Sequence, residues 1–407
     1  MHQNWAGNVA FGAARQHQPT SVAQLSDIVG SAEKVHALGT GHSFNDIADT
    51  SGDLVSVAGL PPVIDLDEAA GTVRVSAGLR YGEVAPRLHA EGWALPNLGS
   101  LPHISIGGAC ATGTHGSGDA NGNLATAIVG LELVTADGEV RSVDDVHGYA
   151  VGLGALGVVT HLTLRLVSTF DIAQYVYDGV PVPADPQGFE ELFGAGYSVS
   201  LFTDWSGHSQ AWVKGPRAEP EPRWLGGTLA DGPRHPIPGM PTESCTQQLG
   251  VKGPWYERLP HFRLEFTPSA GDELQSEYLV PRERAVEALD AMDAIRELVA
   301  PVLQITELRT VAADGLWLSP SYRRDSLAIH FTWIRDTAAV LPVVAAVEEA
   351  LRPVEPRPHW GKVFGVPGAV LRERYERLDD FAALAQDLDP RGKFRNRWLD
   401  ATMGTWW

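Results

Sequence analysis

The pattern of apolar and polar positions over the first 170 residues predicts a mixture of helices and strands. Apolar residues at helical spacing follow Ser21, which predicts a helix over 22–29 with that serine as its cap. A second helix is predicted over 81–91, closed by Gly92. Alternation of period two predicts strands, namely 35–38, 54–57, 72–76, 158–167 and the two arms of a hairpin, 127–135 and 139–143. This region is therefore expected to form one α+β unit.

From residue 171 onward the pattern changes and predicts a second unit. Prolines interrupt its start, and residues 214–241 are rich in Pro, Gly and Arg, which favours a long loop or lid. Regular structure then resumes, with strands predicted over 274–280 and 327–333 and helices over 282–299 and 338–351. This order predicts a mixed layer with helices on one face, a separate substrate domain. The predicted fold class is α+β with two domains.

Composition and charge narrow the possible partners. The chain has 407 residues, of which 44% are hydrophobic and 20% charged, as expected of a globular protein with two cores. Its net charge of −19 argues against nucleic acid and anionic membranes, because both demand basic patches, and it favours a neutral substrate. No stretch is long and apolar enough for a membrane span, and the first residues lack the pattern of a signal peptide.

The chain contains two cysteines, Cys110 and Cys245, which form no disulfide framework. A reducing cytoplasm is therefore the expected location. A monomer is the expected state. Cys110 lies inside a glycine-rich loop, where we expect a small packed residue rather than a nucleophile.

Two segments dense in Gly, Ser, Thr and His, 39–46 and 102–118, are the strongest indication of a ligand. Glycine lets backbone amides approach a ligand closely, and hydroxyls and successive N–H groups then bind phosphate without Arg or Lys. Two such loops in one domain predict a long ligand with a diphosphate, held from two sides. The alternative is two ordinary glycine-rich turns. A Rossmann site is not expected, because no strand–Gly-x-Gly-x-x-Gly–helix unit with a following acid occurs.

The two loops resemble the vanillyl-alcohol-oxidase-like flavoproteins, whose first loop carries a Gly-x-Gly-His-Ser histidine bonded covalently to FAD. Further motifs resemble the alditol (xylitol) oxidases within that family, over nearly the whole chain. These motifs are 4–8, 96–105, 197–205, 307–310, 330–333 and 359–362. The resemblance implies a PCMH-type FAD-binding domain over 1–170, completed by about 375–407 through the segment 389–396, and an α+β cap domain over 171–374.

The resemblance also implies which residues hold the cofactor. His42 is the implied covalent link to FAD, and the alternative is a loop histidine that only hydrogen-bonds its neighbours. The implied FAD contacts are Gly39, Thr40, Gly41, His42, Ser43, Phe44, Ser100, Ser105, Gly108, Thr112, Gly113, Thr114, His115, Val159 and Asn396. A metal site on His42, His103 and His115 is not expected, because no carboxylate or thiolate set with ligand spacing accompanies them.

Glu307 and Arg309 alternate on a predicted strand and therefore face one side, where a surface ion pair is the alternative interpretation. The resemblance implies a polyol pocket whose contacts are Ser100, Glu307, Arg309, Thr332 and Lys362. Arg309 and Lys362 would stabilise the developing alkoxide, and the other contacts would hold the next hydroxyls. His330 shares the face of Thr332 and is the other candidate for the base. The sequence does not choose between His330 and the two cations as the catalytic base.

The implied activity is oxidation of the terminal hydroxyl of xylitol, sorbitol or a similar alditol to an aldehyde, with O2 reduced to hydrogen peroxide. An aldonolactone oxidase or dehydrogenase and a flavin carrier without turnover stay open as alternatives. Glu307 weighs against the lactone, because a buried acid would repel a carbonyl-rich substrate. The resemblance further implies that Gly99 leaves space for oxygen beside the flavin. The alternative is a glycine that merely permits a tight turn.

Overall fold

A computed structural model describes residues 3–216, 220–269 and 271–404. Its first strands are β1 (Arg15–His17), β2 (Val35–Leu38), β3 (Asp53–Ser56), β4 (Ile64–Asp67), β5 (Thr72–Ser76), β6 (Trp93–Ala94), β7 (Ile128–Val134), β8 (Val140–Val143), β9 (Val158–Arg165) and β10 (Val167–Ser168). The later strands are β11 (Asp171–Asp178), β12 (Ser198–Thr203), β13 (Ser209–Gly215), β14 (Arg223–Trp224), β15 (Gly227–Leu229), β16 (Gly253–Pro254), β17 (Glu273–Pro281), β18 (Leu303–Val311), β19 (Ser326–Ile334) and β20 (Arg357–Pro358).

The α-helices of the described residues alternate with these strands in both halves of the chain. They are α1 (Val22–Ser31), α2 (Tyr81–Ala90), α3 (Ile106–Ala111), α4 (Pro186–Phe193), α5 (Ala285–Ala294), α6 (Arg296–Val299), α7 (Thr337–Leu351), α8 (Gly368–Arg374), α9 (Leu378–Leu388) and α10 (Arg397–Met403). None of these helices is long and apolar enough to cross a membrane.

The first set of strands builds a small parallel sheet and a larger antiparallel one. The parallel sheet has the order β1-β3-β2, and the antiparallel sheet has the order β4-β5-β9-β7-β8. The helix α1 begins where the pattern predicts, because the Ser21 hydroxyl accepts a hydrogen bond from the Gln24 main chain while Leu25 and Val29 are buried. Gly138, with a φ of 86°, turns β7 into β8 as the Asp-Gly pair predicts.

The C-terminal segment packs back onto this first region. The Val35 N–H donates to the Lys393 carbonyl at 3.0 Å, which places the segment beside β2. The Asn396 side-chain amide donates to the carbonyls of Ile47 and Asp49, both at 2.8 Å. The end of the chain therefore supports the loop that follows β2.

The second set of strands forms a ten-stranded sheet with the order β14-β15-β11-β13-β12-β18-β19-β17-β20, in which β16 pairs with β11. The central strands β17, β18 and β19 are buried along most of their length, so their polar side chains lie inside the molecule. The change from one group of sheets to the other falls between β10 and β11. We propose 1–170 with about 375–407 as the FAD-binding domain and 171–374 as the cap.

The helix predicted over 282–299, the strand predicted over 54–57 and the strand predicted over 158–167, which ends at Arg165, all end earlier than their patterns. The predicted helix over 282–299 opens with a 3₁₀ turn, and α5 stops before Ile295, whose φ of −109° and ψ of 12° leave helical geometry. The apolar periodicity continues across this break, which is why the pattern alone predicts one helix. The predicted strand over 54–57 ends at Ser56, because its hydroxyl accepts a hydrogen bond from the Ala58 N–H and starts a 3₁₀ turn.

The predicted loop over 214–241 is partly regular. Lys214 still pairs with strand β11 and with strand β12, so the loop starts after β13. The short hairpin β14–β15 lies within it. Residues 217–219 of this predicted loop lie outside the described residues.

Candidate active site

A deep cavity lies between the two glycine-rich loops and one face of the ten-stranded sheet. The first loop follows β2 directly. Gly41 has a φ of 72° there, and its carbonyl accepts a hydrogen bond from the Trp5 N–H at 2.7 Å. The Phe44 N–H donates to the Gly361 carbonyl at 2.8 Å, which ties this loop to the segment that follows β20.

The two loops meet around the Ser105 hydroxyl. A Cβ atom on Gly39 would lie 2.7 Å from Ser105 Oγ, and one on Gly108 would lie 2.9 Å from it, so glycine at both positions leaves room for this hydroxyl in its present orientation. Ser105 Oγ is buried and has no hydrogen-bond partner among the described residues. A buried hydroxyl without a partner is costly unless a ligand satisfies it, and phosphate oxygens accept such a bond. The arrangement therefore fits the diphosphate of FAD.

His42 lines the same cavity. Its ring stacks on that of Trp5, with centroids 5.4 Å apart and 17° between the planes, and its Nδ1 lies 3.0 Å from Thr40 Oγ1. Burial, with a smaller contribution from His103, lowers the pKa of His42 to about 4. The imidazole is therefore neutral at pH 7 and keeps a nucleophilic lone pair.

Most residues implied as FAD contacts line the cavity: Gly39, Thr40, Gly41, His42, Ser43, Phe44, Ser100, Ser105, Gly108, Thr112, Thr114, His115 and Val159. Gly113 and Asn396 do not. Gly113 turns the second loop with a φ of 67°. Asn396 caps α10 and supports the first loop from behind.

Among the described residues, no group of three or more His, Cys, Asp or Glu side chains is arranged to hold a metal ion. The histidines of the second loop contact main-chain carbonyls instead. Nε2 of His103 lies 2.8 Å from the Phe266 carbonyl, and Nδ1 of His115 lies 2.8 Å from the Gly116 carbonyl.

The sheet contributes polar side chains from three neighbouring strands. Glu307 of β18 pairs in register with His330 of β19, which pairs in turn with Glu277 of β17. Arg309 and Thr332 follow two residues further along their strands, on the same faces. The structure brings together at this cavity the substrate contacts and base candidates implied by the sequence, namely Ser100, Glu307, Arg309, His330, Thr332 and Lys362.

Glu277 is the central residue of this cluster, and the sequence analysis missed it. Its carboxylate lies 2.5 Å from Arg309 Nη2, 2.6 Å from Lys362 Nζ and 3.2 Å from His115 Nε2. Burial alone would raise the pKa of Glu277, but Lys362, Arg309 and His115 outweigh burial and hold the pKa well below its ordinary value. The sequence signal that could have found Glu277 is its alternation with Gln275 on the strand predicted over 274–280. The same alternation singled out Glu307 and Arg309.

Lys362 and His330 form a close pair beside this carboxylate. Lys362 Nζ lies 2.5 Å from His330 Nδ1. A protonated lysine only donates, so Nδ1 accepts and the ring proton lies on Nε2, which is 3.3 Å from Thr332 Oγ1. Burial, followed by the charge of Lys362, lowers the pKa of His330 to about 4. Burial also lowers the pKa of Lys362, although Glu277 opposes this shift.

Two known protein families match separate parts of the chain. Residues 14–144 match the FAD binding domain family, and residues 272–402 match the D-arabinono-1,4-lactone oxidase family. Over 405 residues the chain is 54% identical to the alditol oxidase of Streptomyces sp. (strain IKD472 / FERM P-14339), with 97% of each chain covered. The chain belongs to the alditol oxidase family. It is therefore an FAD-dependent oxidase.

This member of the alditol oxidase family also has more distant relatives. It is 32% identical over 440 residues to the L-gulono-1,4-lactone dehydrogenase of Mycobacterium tuberculosis (strain ATCC 25618 / H37Rv), with 98% of each chain covered. The cholesterol oxidase of B. sterolicum superposes with a TM-score of 0.76 at 15% identity, over 99% of this chain and 96% of that one. The xylooligosaccharide oxidase of Myceliophthora thermophila C1, in complex with xylobiose, gives 0.73 at 13% identity, over 97% and 93%. Together with the match of residues 14–144 to the FAD binding domain family, these structures confirm the predicted fold class, an α+β flavoprotein with a vanillyl-alcohol-oxidase-like FAD-binding domain and an α+β cap.

Proposed function

We propose that this protein oxidises the terminal primary hydroxyl of an alditol such as xylitol or sorbitol to an aldehyde and reduces O2 to hydrogen peroxide. The observation that carries this proposal is the charged and hydroxyl-bearing sheet face opposite the two glycine loops. Such a wall offers donors and acceptors to several hydroxyl groups at once. One alcohol R–CH2OH and one O2 give R–CHO and H2O2, so atoms and electrons balance.

FAD, when bound, supplies the hydride acceptor and passes the electron pair to oxygen. The residues of the chain orient the alcohol and stabilise its charge. Arg309 and Lys362 both bind Glu277, which holds the two cations at one point before the reaction begins. Cations placed in advance stabilise a developing alkoxide without rearrangement. Lys362 Nζ and His330 Nδ1 are 2.5 Å apart, so Lys362 can pass one of its protons to Nδ1 and take up the hydroxyl proton in its place. The pair thereby gains one proton as the alkoxide forms, and Lys362 keeps its positive charge.

Ser100, Thr332 and Glu307 hold the remaining hydroxyls of the polyol. Ser100 Oγ accepts a hydrogen bond from Arg309 Nη1 at 3.3 Å. Ser100 therefore lies next to the charged cluster, although it belongs to the segment that precedes the second glycine loop. Holding the inner hydroxyls would fix the position of the terminal carbon in the cavity, and this orientation would contribute to the rate.

A lactone oxidase or dehydrogenase is the second candidate. The match of residues 272–402 to the D-arabinono-1,4-lactone oxidase family and the lactone dehydrogenase relative favour it. The buried Glu307 carboxylate in the cavity wall weighs against it, because this acid would repel the carbonyl and ring oxygens of a lactone.

Anaerobic addition of substrate to the yellow protein tests the proposal. Xylitol or sorbitol should bleach the flavin absorbance, and the same mixture in air should release hydrogen peroxide. Bleaching by L-gulono-1,4-lactone but not by either polyol would favour the second candidate. A flavin carrier would bleach with neither.

We also propose that His42 bonds FAD covalently and that the protein is a cytoplasmic monomer. The neutral imidazole and the match of its loop to the flavoprotein motif support the covalent link. Cys110 and Cys245 are free and buried, which suits a reducing compartment. Size-exclusion chromatography with light scattering tests the oligomeric state.

A further inference from the structure

A line of three buried polar side chains runs from the interior of the cap to the cavity wall. Lys214 on β13, His261 and Glu307 on β18 are exposed by only 1%, 4% and 4%. Lys214 Nζ lies 3.1 Å from His261 Nδ1, and His261 Nε2 lies 2.8 Å from Glu307 Oε1. His261 and Glu307 line the cavity.

The partners define the direction of each hydrogen bond. Burial alone would raise the pKa of Glu307, but Arg309 and His261 outweigh it and hold the pKa well below its ordinary value, so this carboxylate only accepts and the single proton of the neutral imidazole faces it. His261 Nδ1 then accepts from Lys214 Nζ, which also donates to the Leu259 carbonyl at 2.5 Å. The ring proton is therefore on Nε2 and is donated to Glu307 Oε1. Arg309 Nε lies 3.6 Å from the same oxygen. No described residue donates a hydrogen bond to Glu307 Oε2, which leaves that oxygen for a substrate hydroxyl.

His261 also holds the other side of the cavity. Its main-chain N–H donates to the Ser100 carbonyl at 3.0 Å. One residue therefore positions two of the proposed substrate contacts, Ser100 through its backbone and Glu307 through its ring.

Aromatic rings pack against the His261 imidazole within this line. The rings of Phe202 and Trp212 meet the imidazole edge to face, with centroids 5.4 and 5.2 Å away. Burial, followed by Lys214, lowers the pKa of His261 to about 4, so the ring is neutral at pH 7. Burial lowers the pKa of Lys214 to about 7, against the attraction of Glu307.

We propose that Lys214 and His261 are positioning residues that hold Glu307 as an acceptor for an inner hydroxyl of the substrate, and that they thereby set the preference for polyols. A site built to receive a hydroxyl discriminates strongly against an analogue that lacks it, because its buried polar atom is then left unpaired. The inference deepens the proposed function and rests on it.

The test compares xylitol with pentane-1,5-diol, which has the same carbon chain and terminal hydroxyls but no inner ones. The rate constant and apparent Kd of anaerobic flavin reduction are measured for both. Lys214→Met should raise the apparent Kd for xylitol about tenfold, as expected for the loss of one hydrogen bond to a charged group, and leave pentane-1,5-diol nearly unchanged. Lys214→Gln should restore part of the difference, because its amide can donate to the imidazole.

Two further comparisons, a control variant at Lys393 and a pair of variants at His261, keep the test decisive. Lys393→Met removes another buried lysine, whose Nζ donates to the Val29 and Gly30 carbonyls at 2.6 and 3.1 Å, and it should keep the wild-type selectivity. If Lys214→Met does not fold, His261→Gln, which can still donate to Glu307, is compared with His261→Phe, which cannot. Retained selectivity in the first and lost selectivity in the second supports the proposal.

The ¹⁵N shifts of the His261 ring, assigned with His261→Gln, give a readout independent of turnover. Wild type should show a protonated Nε2 and an unprotonated Nδ1, and Lys214→Met should alter this state. Wild-type selectivity in a folded, flavin-loaded Lys214→Met, or equal losses for both substrates, would overturn the proposal. Failure of xylitol to reduce the wild-type flavin refutes the proposed function itself, whereas normal reduction with unaltered selectivity in the variants refutes only this inference.

Discussion

At the scale of single residues, the site depends on charges that are buried together. Glu277 is almost fully buried and touches two cations, Arg309 and Lys362. Arg309 is itself buried and the Lys362 side chain is only 13% exposed, so removal of the carboxylate leaves two charges without this partner. Breaking a buried pair in this way costs far more than the loss of a surface ion pair.

We expect Glu277→Gln to lower the free energy of unfolding at pH 7 by about 3 kcal/mol, as for other broken buried pairs. The folded pKa of Glu277 lies below the unfolded value, so its stabilisation is present above the ordinary pKa of about 4.3 and is lost as the pH falls further. Urea unfolding across this pH range measures the difference. Glu348→Gln is the control, because burial raises the pKa of Glu348 and its contribution is instead lost as the pH rises. A difference at Glu277 that grows towards acid would contradict the assignment.

His42→Ala should release the cofactor. Acid precipitation of the wild type leaves the yellow colour with the protein if the imidazole carries the covalent link, and the variant should lose it to the supernatant. His103→Ala is a matched control from the second loop, since its ring contacts the Phe266 carbonyl. Free flavin recovered from the wild type would end the covalent proposal.

Gly99 allows a test of the oxygen path. Its φ is not in the left-handed region, and an added Cβ would meet ordinary contacts, the nearest being the His115 carbonyl at 3.6 Å. The turn therefore does not require glycine, and Gly99→Ala should fold normally. We expect Gly99→Val to slow reoxidation by air much more than anaerobic reduction by xylitol, with alanine between valine and wild type. Stopped-flow traces of both half-reactions measure this, and equal slowing of the two would show distortion of the loop instead.

At the scale of elements, the site depends on strand register and on the returning C-terminal segment. The registers of β17, β18 and β19 place Glu277, His330 and Glu307 in one row across the sheet. Asn396 joins the start of α10 to the first glycine loop, since it caps the helix and donates to two carbonyls after that loop.

Substitutions at Asn396 separate these two roles. Asn396→Ser keeps an oxygen for the helix cap but is too short to donate to the Ile47 and Asp49 carbonyls, whereas Asn396→Ala loses both functions. Loss of the cap alone costs about 1 kcal/mol. We therefore expect the alanine variant to be less stable than the serine variant by roughly that amount in urea. Both should carry less FAD per protein than the wild type, and full loading of the serine variant would remove the loop-supporting role.

At the scale of the whole molecule, a net charge of −19 surrounds a cavity with a mixed, locally paired charge. This field repels anions over distances beyond the site and acts weakly on a neutral polyol. We therefore expect the long-range charge to favour neutral substrates, in addition to the preference that the residues of the cavity set.

Ionic strength tests this expectation. The value of kcat/KM for xylitol should change little with added NaCl, whereas any activity on the anion xylonate should rise as salt screens the repulsion. Steady-state peroxide release at low and high salt measures both. A strong salt dependence for xylitol would show that charge steering acts on the neutral substrate as well.

The sequence by itself determined the elements with strong periodicity, the two glycine loops and the side chains that motifs single out. The cap of α1 at Ser21 and the Asp-Gly hairpin are local devices, because their hydrogen bonds join residues close in the chain. The shared face of Glu307 and Arg309 could also be predicted from the sequence, since alternation on one strand shows which side chains point to the same side.

Tertiary structure alone decided which distant residues meet. Glu277 lies at the centre of the site because β17 pairs with β19. Lys214 on β13, His261 in a loop and Glu307 on β18 are far apart in sequence, and only the folded chain brings them into contact. The break at Ile295 was hidden because apolar periodicity reports burial and not backbone dihedral angles. Ionised side chains also look alike in a sequence whether they are solvated or buried. Their roles depend on partners that only the packing of strands and loops supplies.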